Sequence, residues 1–266
     1  MHQFDQDIEV IDCGDGKWQG HISSAWNIGE NPNGGYLVSI AINALAQSLP
    51  HPDPVSVTTH YLRPGNSDED CEIDIHIIRI GRTLSTARAS LSQKGKVRLE
   101  VLAVFGDLSE SVGTDQEFSI HAPKIVSPEK CPSRDGSAQG IALPIAQRLD
   151  TRLDPDCIEH GKSDKAELNG WNRFLDGREP DSKSLPLFCD TFPPSPFAIL
   201  GVVGWVPTIE LTVHVRRRPS PGWIQAQFKS SDLYRGRMIE DGCLWDSTGA
   251  LVAQSRQIGL VLQATE

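Results

Sequence analysis

The sequence predicts an α+β protein built twice in tandem, each unit an antiparallel sheet wrapped on one buried helix. Three observations lead there. The chain repeats its pattern at a spacing of 154 residues, which lays Gly95 on Gly249 and brings Pro64 within one residue of Pro219. Each copy reads as a strand, a Pro-marked loop and a long hairpin: YLRPG at 61–65 with GRTLSTARASLSQKGKVRLEVLAVFG at 81–106, then VRRRPSPG at 215–222 with YRGRMIEDGCLWDSTGALVAQSRQIGLVL at 234–262. Each copy also carries one helix candidate upstream of those strands.

The first helix is announced by NPNGGYLVSIAINALAQSLP at 31–50. Glycines precede apolar residues at 37, 38, 40, 41, 44 and 45, and Pro50 stops the run. A helix of about 13 residues, apolar on several sides, is one that is buried. The hairpin arms at 97–105 and 250–262 are rich in β-branched and aliphatic residues, the composition of half-buried strands. From 108 to 145 the chain turns polar and rich in Ser, Pro and Gly, which predicts a linker between units at 1–107 and 146–266. The second helix candidate, LPLFCDTFPPSPFAILGVVG at 185–204, is interrupted by Pro193, Pro194 and Pro196, so a short helical stretch near 183–191 with an irregular continuation is expected.

Composition narrows the function. Of the 266 residues, 38% are hydrophobic and 23% charged, enough for a sizeable core, and the formal net charge is −10. That balance disfavours nucleic acid and anionic membranes as partners, because both demand Lys/Arg neutralisation. Six cysteines lie far apart with no C-x-x-C pair, which reads as reduced thiols and not as a disulfide frame or a zinc site. The first ten residues, MHQFDQDIEV, have no signal-peptide pattern, and no apolar run reaches the ~18 residues of a membrane span. A cytoplasmic protein without metal or cofactor is the expectation. No Gly-x-Ser-x-Gly elbow is present, which argues against a serine nucleophile on an α/β-hydrolase fold.

The motifs carry a resemblance. GHISSAWNIGENPNGGYLVSIAINAL, TTHYLRPG and GRTLSTARASLSQKGK, followed by LFCDTFPP, GWVPTIELTVHVRRRP, GWIQAQFKSSDLYRGR and LWDSTGALVAQSRQIGLV, are similar in order and spacing to the double-hotdog acyl-CoA thioesterases. The likeness covers roughly residues 15–107 and 180–262. It implies two tandem hotdog units in one chain and hydrolysis of acyl-CoA or acyl-carrier-protein thioesters. It also implies a water held by an Asp, a Thr and a Gln, which fall on Asp190, Thr208 and Gln257. Thr212, on the same strand as Thr208, is the competing threonine. Homo-oligomerisation is expected, since hotdog sheets expose edges that pair.

Each of these residues also has a plainer reading. Asp190 can be a helix N-cap, Thr208 a strand-forming residue, and Gln257 an outward polar residue of a last strand. As a base, Asp190 at a buried helix start would be raised in pKa by lost hydration and lowered by the helix N-terminus. Thr208 and Gln257 supply the hydroxyl and amide that fix a water. The 154-residue offset places Tyr36 opposite Asp190 and Ala103 opposite Gln257, so only one half keeps the polar groups and one working site per chain is expected.

The first half would complete that site with Asn33, Gly34, Gly35 and Tyr36, the Gly35 and Tyr36 amides being the favoured oxyanion donors. His60 is a substrate-side candidate, although a strand histidine is more often structural. Arg216, Arg217, Arg218, Arg235 and Arg237 can face phosphates or simply form a solvated rim. Trp18, Trp26 and Trp205 read as core. Two rival functions share this fold and ligand class, an enoyl-thioester hydratase or dehydratase and a non-catalytic acyl-thioester-binding protein.

Overall fold

The computed structural model describes all residues except 112, 115, 137–139, 158, 160, 202–203 and 263–266; five of these lie in the expected linker. A short helix α1 (Gln3–Asp7) comes first, and β3 (Asn27–Ile28) pairs with β4 (Asn31–Pro32) apart from the main sheet. Strands β1 (Val10–Gly14), β2 (Lys17–Ile22), β5 (Asp53–Tyr61), β6 (Glu69–Ile80), β7 (Ser85–Gln93) and β8 (Lys96–Gly106) form the first half of one continuous sheet. The second half comes from β9 (Leu149–Leu153), β10 (Glu167–Phe174), β11 (Thr208–Val215), β12 (Ile224–Tyr234), β13 (Arg237–Trp245) and β14 (Leu251–Leu260). The order across the sheet is β1-β2-β6-β7-β8-β5-β11-β14-β13-β12-β10-β9, so each half repeats the other in mirror sequence about the β5–β11 junction. Every pairing is antiparallel. This is a double hotdog.

The repeat has a consequence at the junction. Thr58 and Thr212 stand opposite each other in the β5–β11 register, their hydroxyls 3.0 Å apart and their sequence separation 154. Repeat-equivalent residues meet only where a pseudo-two-fold axis passes. Two of the hairpins turn tightly: Lys94-Gly95 joins β7 to β8 and Arg235-Gly236 joins β12 to β13, all four residues at positive φ. Two-residue loops of that kind match the strand twist, and glycine in second place takes the left-handed backbone without a Cβ clash.

The first half folds around α2 (Gly34–Ser48). Asn33 caps it by accepting the Tyr36 amide at 2.9 Å, and all but one of the residues from Gly35 to Leu45 are buried. Among its described residues the second half has no such helix. Its place is taken by two single turns, α3 (Leu185–Phe188) and α4 (Phe197–Leu200), because prolines without N–H groups stand between them. Segment 107–148 holds no strand among its described residues, yet it is fastened along the second half. Backbone carbonyls of Ile120, Pro123 and Val126 accept from Trp245, Gln225 and Trp171 at 2.7–3.0 Å. It is a strap more than a spacer.

Candidate active site

The site forms where α3 crosses the start of α2. The crossing is close because two glycines permit it: a Cβ on Gly35 would stand 2.9 Å from the Leu187 Cα and the Pro186 carbonyl. A Cβ on Gly34 would stand 3.0 Å from Asp190 Oδ2 and 2.9 Å from the Tyr61 ring. Asp190 lies two residues beyond the end of α3, not at a helix start as the sequence suggested, since α3 is a single turn and the prolines prevent its continuation. The helix N-terminus that it meets is that of α2, in the other half.

Asp190 Oδ2 accepts from the Gly35 amide at 2.8 Å and from Asn33 Nδ2 at 3.0 Å; the same Nδ2 donates to the Asp190 carbonyl at 2.6 Å. These bonds correct the expected oxyanion hole. The Gly35 amide is spent on Asp190 and the Tyr36 amide on the Asn33 cap, so neither waits for a ligand. Burial pushes the Asp190 carboxyl up to about 6, and the negative charge of Glu240 adds to the rise. The Gly35 and Gly34 amides and Arg134 pull the other way and fall short. A carboxylate tuned to this range can exchange a proton near neutral pH.

Strands β13 and β14 supply the facing wall. Glu240 and Gln257 are directly opposite in register, both buried, and Gln257 Nε2 donates to Glu240 Oε1 at 2.5 Å. The second Glu240 oxygen accepts the Ser195 amide at 2.7 Å. Burial raises Glu240 above the ordinary carboxylate range in spite of these donors. Thr208 begins β11 at a register irregularity between Thr208 and Glu210, a bulge of the kind that re-aims a side chain, and its hydroxyl donates to Gln257 Oε1 at 2.8 Å. Thr212 instead meets Thr58 and Glu210 on the sheet, away from Gln257.

A cavity of about 320 Å³ gathers Asn33, Gly34, Asp190, Thr208, Glu240 and Gln257, with Leu37, Phe192, Phe228 and Met238 among its apolar walls. Both halves and the strap line it, the latter through Arg134 and Ile141. Gly35 and Tyr36 stand behind the lining. Tyr36 is a core residue, stacked on Trp26 at 5.3 Å, with its hydroxyl donating to the Asp7 carbonyl. His60 is not brought to the site. Alternation along β5 turns it outward to solvent, between Glu100 and Glu210 on the flanking strands. Of the tryptophans, Trp18 and Trp26 are core, whereas Trp205 is 45% exposed and lines the cavity. Arg218 serves the fold, pairing with Asp53 and Asp107, and Arg217 pairs with Glu117.

Among the lining residues that the sequence did not single out are Glu240, Tyr61 and Arg134, while Trp205, expected in the core, stands at the cavity instead. Glu240 had no signal in the repeat, whose offset sets it on Thr86; only the paired strands show Ala87 with Ala103 in the first half where the second has Glu240 with Gln257. Tyr61 is enclosed with no hydrogen-bond partner for its hydroxyl among the described residues, and burial holds its phenol well above its ordinary pKa. Among the described residues, no group of three His, Cys, Asp or Glu side chains could hold a metal, and no helix is long and apolar enough to cross a membrane.

The double hotdog encloses an apolar cavity with a carboxylate, a hydroxyl and an amide on its wall. Family comparison supplies the class. Residues 22–106 match the acyl-CoA thioesterase N-terminal domain, and residues 128–261 match the acyl-CoA thioesterase C-terminal domain. The chain belongs to this acyl-CoA thioesterase family and is a thioester hydrolase.

Among solved structures it is similar to one described as a thioesterase II of Thermobifida fusca, with 28% identity, a TM-score of 0.89, and 99% of this chain and 98% of that one covered. A hot dog fold protein of unknown function from Alicyclobacillus acidocaldarius shares the fold at 22% identity and TM-score 0.85, over 100% of both chains. So does the acyl-CoA thioesterase II TesB2 of Mycobacterium marinum, at 17% and 0.78, over 98% of this chain and 99% of that one. An uncharacterized protein of Mycobacterium tuberculosis is 24% identical over 269 residues, 92% of this chain and 90% of that one.

Proposed function

We propose that Asp190, Thr208 and Gln257 hold and activate one water against the carbonyl of an acyl-CoA thioester. The observation that carries this reading is the cavity itself, where a carboxylate raised toward neutrality faces a coupled hydroxyl and amide beside an apolar wall. The repeat supports it. Tyr36, Pro54 and Ala103 stand where the 154-residue offset would place partners of Asp190, Thr208 and Gln257, so the first half has no matching chemistry.

Asn33 and Gly35 occupy Asp190 Oδ2, leaving lone pairs on Oδ1 to take a proton from water. Thr208 gives its hydroxyl hydrogen to Gln257, so its oxygen is free to accept the water's second hydrogen. Attack on the thioester carbon forms a tetrahedral oxyanion, toward which Gln257 can turn its second N–H. Collapse breaks the C–S bond, the proton held by Asp190 goes to the leaving thiolate, and carboxylic acid and thiol result. At about 320 Å³ the cavity is at the small end for ligand sites, which suits short or compact acyl groups.

The test is free-thiol release from acyl-CoAs graded in chain length, with acyl-carrier protein as a second donor. Asp190→Ala should lose at least about 10²-fold in kcat/KM. Wild-type activity should rise with pH as Asp190 sheds its proton, half-maximal near 6. Equal rates in both proteins would remove Asp190 from the mechanism. Loss of enoyl-CoA absorbance without thiol release would favour hydration instead.

A further inference from the structure

Gln257 is a symmetric-looking group that works only one way round. Its amide has an oxygen and a nitrogen end of nearly equal size, and the local hydrogen bonds decide which end faces which neighbour. On one side stands the Thr208 hydroxyl, which can donate or accept and so imposes nothing. On the other stands Glu240 Oε1. Ionised, that carboxylate can only accept, and it therefore forces Nε2 toward itself and Oε1 toward Thr208.

We infer that Glu240 is a positioning residue for the hydrolysis, fixing the Gln257 amide so that Thr208 must donate to it and keep its own lone pairs for water. The inference rests on the proposed Asp190–Thr208–Gln257 site and adds a fourth, indirect member.

Other features point the same way. Glu240 is 3% exposed, and each of its oxygens has a donor, Ser195 N and Gln257 Nε2, so the ionised form is the one the surroundings match. Its place is specific to the working half, since an Ala87–Ala103 pair occupies the same register in the other hairpin. The groups that face it are few. From the crossing of α3 comes Asp190, with Arg134 of the strap acting on Asp190 in turn; from the loop after α3 comes Ser195, whose hydroxyl also meets Ser230 of β12. From β14 comes Gln257, and on its own strand the neighbouring charge is Asp241, held by Arg256.

Replacement by glutamine makes the prediction sharp. In E240Q the new amide must still present its oxygen to the Ser195 amide, so its NH₂ faces Gln257. Gln257 then turns over, its own NH₂ confronts Thr208, and the threonine accepts where it formerly donated. Size and fold are kept while the polarity of the chain is reversed.

The experiment compares wild type, E240Q, Q257A and the double variant by thiol release from one acyl-CoA across pH, with thermal unfolding as the check on folding. E240Q should fall on the order of 10²-fold, mainly in kcat. The double variant should be no slower than Q257A alone, because Glu240 acts through Gln257. Toward low pH, log kcat/KM of wild type should fall with a limiting slope of two, as Asp190 and Glu240 must both be ionised. In E240Q the limiting slope should be one, with its midpoint lower because the neighbouring charge is gone. E240Q within threefold of wild type, an unchanged acid limb, or additive losses in the double variant would overturn the inference. If Q257A itself retains full activity, the proposed site fails and this inference with it; a damaged Q257A beside an active E240Q sinks only the role of Glu240.

Discussion

Two threonines on β11 divide between cavity and junction at the residue scale. Thr208 donates to Gln257 at the cavity, while Thr212 spans the junction to Thr58. Thr208→Val should therefore lower kcat/KM by roughly tenfold to 10²-fold with little change in unfolding midpoint. Thr212→Val should do the reverse, costing about 1 kcal/mol of stability and leaving thiol release close to wild type. Steady-state kinetics and urea unfolding of the two variants check both halves of the statement. The sequence left this choice open because both residues are ordinary strand threonines, four apart and with the same parity. What separates them is the register irregularity between Thr208 and Glu210, and a bulge depends on partner strands that no local pattern reveals. The meeting of Asp190 and Gln257 at one cavity was legible through their flanking motifs. The engagement of the Gly35 and Tyr36 amides was not, since it depends on which carboxylate and which cap arrive at the helix start.

The element that makes the site is the contact of α2 with α3. Gly35→Ala would place a methyl group 2.9 Å from backbone atoms of Pro186 and Leu187 and 3.0 Å from the Asp190 Cβ. Backbone cannot rotate away as a side chain does, so α3 must shift, at a cost of about 1–3 kcal/mol. The expected variant is folded but less stable, with thiol release reduced because Asp190 moves with α3. Stability and kcat falling together would support this; a fully active, equally stable variant would contradict it. At this scale the sequence was most legible where a single element carries its own signal. The buried helix of the first half showed in its apolar run, and the hairpins showed in their turn glycines. The broken helix of the second half was visible in its prolines, but the position of Asp190 after the turn was not, because a four-residue helix has too little periodicity to reveal where it ends.

For the whole molecule, the repeat read from two glycines and two prolines becomes a continuous twelve-stranded sheet with a pseudo-two-fold axis at Thr58 and Thr212. A second tie between the halves lies at Asp53, which starts β5. Its buried carboxylate accepts from Arg218 of the second half, from the Ser182 hydroxyl at 2.6 Å and from the Leu108 amide at 3.0 Å. Burial alone would raise the Asp53 pKa, but the Arg218 and Ser182 bonds outweigh it and hold the group below its ordinary value. A carboxylate depressed in the folded state binds fewer protons there than in the unfolded chain. It therefore adds stability above the unfolded pKa of about 4, and that contribution disappears as pH falls through the lower, folded value. Removing the cation leaves the charge buried with only neutral donors. Because Arg218 is itself half-exposed, the cost of Arg218→Ala is set at about 2 kcal/mol near neutral pH, below the figure for a fully enclosed pair. The deficit should narrow as the solution is acidified, since protonated Asp53 no longer needs the guanidinium. Urea unfolding of wild type and variant along a pH series reads this directly. A deficit that is absent at neutral pH, or that widens in acid, would show that the ion pair does not join the two halves of the sheet.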